Sequence, residues 1–171
     1  MEAISLMIHV VAAAILVGPQ VLMFYAVTPA TWLIGEERLK RDVVKVVASR
    51  FAKLAIGSLV ILLVTGLYQY YSIVPEAIQE DIFAYRFGEI FVLKMTLVTV
   101  LLALIVVHGA VLARRIGRMS DEVIAGRGDT GALESARMQT LLFSGIMVIV
   151  SLAILMLGAV LGHHEFVYIA K

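Results

Sequence analysis

Four apolar segments, each long enough to cross about 30 Å of hydrocarbon as a helix, limit what this chain can become. They run at about residues 4–34, 54–74, 89–113 and 140–162. At 61% hydrophobic and 16% charged over 171 residues, the chain has too little polar surface for a soluble domain. The period-two alternation of a membrane barrel is absent. The sequence therefore predicts an all-α integral membrane protein in contact with the lipid bilayer: a single domain, residues 1–171, folded as an antiparallel four-transmembrane-helix bundle.

The charges orient that bundle. Eleven of the fourteen basic residues fall in two connections, Arg38 to Lys53 and Arg114 to Arg137, on the same side. The positive-inside rule places these connections in the cytoplasm and both termini outside, in a bacterial or archaeal plasma membrane. The opening MEAISLMIH has no basic stretch before its apolar run, so the first span is expected to stay in place rather than be cleaved. A net charge of +1 gives no footprint for nucleic acid. With no cysteine, disulfides, thiolate metal sites, iron–sulfur clusters and covalently attached haem are excluded.

Local signals refine the pattern. Gly18-Pro19 is expected to interrupt the first span, and Pro29 to bend its inner end. Leu39, Val43, Val46 and Val47 suggest an amphipathic surface turn leading into the second span. Residues 75–87 read as a short interfacial helix, and the glycines near 126–131 as a mobile turn between helical stubs. Ser144, Ser151, Gly158 and Gly162 form a small-residue stripe that would let another helix approach, within the bundle or in a homodimer.

All four histidines lie in or at the end of a span, where ionisable groups are costly and mark sites. His9 and Lys94 each lie about five residues in from the outside, and His163-His164 ends the fourth span on that side, near Tyr68 and Tyr71. His108 lies fourteen residues beyond Lys94, about 21 Å deeper on nearly the same helical face. Met23 stands in the same relation to His9, with Gln20 one turn nearer. Two levels follow: His9 opposite Lys94 outside, and Met23 or Gln20 opposite His108 inside, across a cofactor-sized gap. The cofactor that suits His and Met ligands between helices without cysteine is haem b, with one haem at the outer level favoured and a second at the inner level as the alternative.

The stretches HVVAAAILVG (9–18), RFAKLAIGSLVILLVTGL (50–67) and LKMTLVTVLLAL (93–104) resemble three successive spans of the CopD-like and HemJ-like membrane families. These include copper-resistance membrane proteins and the haem-binding protoporphyrinogen oxidase of many bacteria. His9 and Gly18 fit the first-span pattern, with Leu16 where the family has tryptophan and no arginine later in the span. Thr65-Gly66 and Lys94 fit the second and third spans. The resemblance implies haem and activity roles for His9 and Lys94.

The leading reading is thus a haem b membrane protein in electron transfer, to or from quinone or a redox partner protein, or in a haem-linked oxidation. The first alternative is copper handling, in which His163 and His164, with His9 and nearby methionines, bind the metal, and His108 is a further imidazole donor. The second is a cofactor-free accessory subunit of a larger membrane complex.

Overall fold

The computed structural model describes residues 2–170, and it exposes far more apolar surface than a soluble bundle. Leu63, Ile149 and Met156 are 62%, 68% and 70% exposed, whereas Ser58 and Ser151 are 3% and 2% exposed. Many bulky apolar side chains face outward, and small polar ones such as Ser58 and Ser151 share the interior with Leu16, Leu101 and Met147, an arrangement suited to lipid. Four helices are long and apolar enough to cross a membrane: span 1 (Glu2–Thr31), span 2 (Glu37–Ile73), span 3 (Arg86–Ile124) and span 4 (Thr130–Leu161). Spans 1 and 2 pack along one another, as do spans 3 and 4. Span 1 also borders span 4, and span 2 borders the last turns of span 3, which leaves spans 1 and 3 diagonal. The end with both termini is the outer end here, and the end with the basic connections is the inner end.

Three local expectations need correction. Pro19 does not interrupt span 1: the α-helix continues from Glu2 to Leu22, and the irregularity is a π-helical turn at Met23–Val27. The Thr28 amide reaches back to the Met23 carbonyl, five residues away. Pro29, at the next position, lacks an amide proton and its ring crowds the carbonyl four residues back, so a widened turn relieves both problems. The surface turn expected at residues 36–53 is instead a continuation of span 2, whose 37 residues reach about 55 Å. Span 3 likewise runs on through Arg114–Ile124. The expected stubs are therefore extensions of the spans beyond about 30 Å of hydrocarbon.

The inner turn does fall where the glycines place it. Gly126 has φ +71°, a left-handed conformation that favours glycine. Asp129 then caps span 4, accepting from the amides of Gly131 and Ala132 at 2.7 and 3.3 Å. At the outer end, helical turns at Glu76–Glu80 and Ile82–Ala84 form the expected interfacial segment. Ile78, Phe87 and Val167 bury one another there beneath Tyr70, Phe91 and Tyr168. Gly88 permits this closure, because a side chain at 88 would strike the Ile82 carbonyl.

Part of the small-residue stripe of span 4 is covered within the chain: Ser151 is buried and Gly158 faces Lys94, while Gly145, beside the stripe, faces the ring of Phe24.

Ser120, in the inner connection, is 1% exposed and so is a poor reporter of sidedness. Because the chain has no cysteine, a single cysteine at exposed Arg127 or Glu165 is a clean one. Arg127→Cys is expected to be shielded from an impermeant thiol reagent in intact cells, and Glu165→Cys to be labelled. The opposite pattern would invert the orientation.

Candidate functional site

The outer level is built around His9. Thr65 Oγ1 lies 2.7 Å from His9 Nδ1 and 2.7 Å from the Ile61 carbonyl oxygen. A threonine hydroxyl has one proton, and in a helix it commonly donates that proton to the carbonyl four residues back. Thr65 then accepts from Nδ1–H of His9, which assigns the imidazole tautomer and leaves Nε2 with a free lone pair. A hydrogen bond that fixes one ring nitrogen and frees the other is the arrangement that prepares histidine as a metal ligand.

Lys94 stands on the opposite pair of spans. A Cβ on Gly158 would lie 3.5 Å from Lys94 Nζ, so the ammonium head is turned toward span 4. Lys94 is within electrostatic reach of His9. Around them, a Cβ on Gly66 would lie 3.6 Å from His9 Cε1, and Gln69 Nε2 donates to the Ser5 carbonyl at 3.5 Å. Tyr68 is half-buried on the same helix turn as Thr65.

His163 and His164 are exposed, and His164 stacks on Tyr168 with ring centres 4.9 Å apart. Burial raises the Tyr168 phenol above its ordinary range, so this ring stays neutral. No group of three or more His, Asp or Glu converges on a common point among the described residues. His163 and His164 thus lie on the surface after span 4, and His9 is half-buried in span 1.

At the inner level, His108 opens a π-helical turn, His108–Ala113, and stacks on Phe143 of span 4. Met23 opens the π-helical turn of span 1. His108 Nδ1 and Gln20 Oε1 are both buried without a hydrogen-bond partner. Clefts lie at Arg41 with residues 110–121 and at Trp32 with Glu134, Arg137 and Met138; neither of these is lined by a histidine or by Lys94.

Sequence reasoning missed the charged network that ties the inner end together. Arg137 grips Glu37 with both Nη atoms, at 3.0 and 2.5 Å, and also donates to Glu134 at 2.7 Å. Ser120 donates to Glu37 at 2.5 Å, Lys40 reaches Glu134 at 3.5 Å, and Arg41 pairs with Asp121. The partners are drawn from spans 2, 3 and 4, so the network clamps their extensions. The only sequence signals were the helical spacing of Glu134 and Arg137 and a mixture of acids with the bases.

The family model described as copper resistance protein D matches residues 45–161, well over half of the chain. Thr65, Gly66, Lys94, His108 and Gly158 lie inside that match, and His9, His163 and His164 lie outside it. No curated protein and no solved structure matched the chain. Four helices long and apolar enough to cross a membrane and this match lead to one conclusion: the chain belongs to the copper resistance protein D family and is a membrane protein related to copper resistance.

Proposed function

We propose that the protein handles copper as its cargo, and that His9 Nε2 is a copper ligand at the outer level between the two pairs of spans. The observation that carries this reading is the Thr65 contact, which leaves an imidazole lone pair free in the bundle of a chain from the copper resistance family. Imidazole is a good copper donor. Lys94, as an ammonium, adds positive charge near this nitrogen and opposes long residence of a cation, which suits a protein that passes copper on.

A second reading is favoured by the same pair of residues. His9 would hold the iron of haem b, and Lys94 would pair with its acidic groups. Bound haem would supply one-electron chemistry with quinone or a redox protein. The donor chemistry fits, and the family match favours copper over haem as the first reading.

Metal analysis and a reduced-minus-oxidised spectrum of the purified protein separate the readings. Copper near one equivalent without a Soret band, lost in His9→Ala, is the expected result. A b-type α-band that disappears in His9→Ala would replace copper by haem. A protein that takes up neither would leave a cofactor-free subunit of a larger complex.

A further inference from the structure

We propose that the groove between spans 2 and 3 at the inner end binds the phosphodiester headgroup of an anionic phospholipid. The groove encloses about 660 Å³ and is walled by Arg114, Arg115 and Arg118 on span 3, with the Arg41–Asp121 pair across it on span 2 and the end of span 3. The three span 3 arginines are exposed, and none forms an ion pair among the described residues. Gly117 keeps the middle of the groove open, since a Cβ there meets nothing within 4 Å.

The groove changes character along its length, and this selects the occupant. The end nearer the middle of the membrane is lined by Ala110 and Val111, which lie in the apolar part of span 3. Its inner end begins at Arg114, the first charged residue after nineteen apolar or uncharged ones. An amphiphile with a negative head and an apolar tail matches both ends, as do basic pockets between transmembrane helices that hold anionic headgroups. Inorganic phosphate would satisfy the arginines but leave the apolar end uncovered. Guanidinium groups are suited to phosphate because their planar donors match its oxygens.

Each arginine near an anionic surface contributes about fivefold in affinity, so three contribute about a hundredfold. The test uses the full chain in vesicles of phosphatidylcholine with or without phosphatidylglycerol, reading the phosphatidylglycerol retained per protein after extraction and its competition against phosphatidylcholine. The triple variant Arg114→Gln, Arg115→Gln, Arg118→Gln is expected to lose the preference for phosphatidylglycerol by about a hundredfold. Arg38→Gln, Lys45→Gln, Arg50→Gln removes equal charge at the same end outside the groove and is expected to retain the preference. Gly117→Leu keeps every charge, fills open space and is expected to lose it. Equal loss in both triple variants would reduce the effect to diffuse charge and overturn the site, as would full retention in Gly117→Leu. Displacement of the retained phosphatidylglycerol by inorganic phosphate at equal concentration would overturn the lipid assignment.

Discussion

Arg137→Met is expected to destabilise the inner end of the bundle by about 3–5 kcal/mol, measured as unfolding free energy in detergent. The arginine and Glu37 side chains are 14% and 18% exposed, so removing the cation leaves a largely buried carboxylate without its main partner. Two parallel hydrogen bonds are lost together, at 3.0 and 2.5 Å. Ser120 still donates to that carboxylate, but one neutral hydroxyl does not replace a bidentate guanidinium. Glu37→Gln removes the charge from the other side and is expected to cost less, because an amide keeps one acceptor for Arg137 and Glu134 still pairs with it. The double variant Glu37→Gln, Arg137→Met should be more stable than the sum of the single losses, by a coupling of about 1–3 kcal/mol. Additive losses would mean that the two side chains do not act as a pair.

Much of this was legible in the sequence, for reasons that also set the limits. The four spans could be read because lipid demands about twenty consecutive apolar residues, and that demand leaves a mark independent of neighbours. The turn at Gly126 could be read because the left-handed conformation selects glycine locally. The inner extensions were harder: Glu37 to Lys53 has the composition of a loop, and its apolar positions at 39, 43, 46 and 47 were the only sign that the helix begins at Glu37. Pro19 misled because a proline can be carried inside an unbroken helix, and the irregular turn falls instead at Met23–Val27, ahead of Pro29. The Glu37–Arg137 contact joins residues 100 apart, a distance over which one sequence carries no pairing information. The same holds for the outer level. His9 and Thr65 were each singled out by type and motif, yet their contact across 56 residues, which fixes the tautomer, is a property of the packed pair.

That contact supports the second large expectation, which concerns copper rather than stability. Thr65→Val keeps the volume of the side chain at a position 9% exposed but removes the oxygen that accepts from His9 Nδ1. The imidazole is then free to carry its proton on Nε2, and the ring loses its fixed orientation toward the interior. Removing the group that orients a metal-ligating histidine costs about 10–100-fold in metal affinity, so Cu(I) affinity in a chelator competition is expected to fall by about that factor. Thr65 acts through His9 and is a positioning residue, so packing must be separated from orientation. Thr65→Ser restores the hydroxyl without the methyl group and is expected to recover most of the affinity, even if its thermal midpoint stays below that of the wild type. Affinity that follows the methyl group rather than the hydroxyl would make Thr65 a packing residue. If Thr65→Val keeps wild-type copper affinity while His9→Ala abolishes it, His9 remains the ligand but its tautomer is not set by this contact.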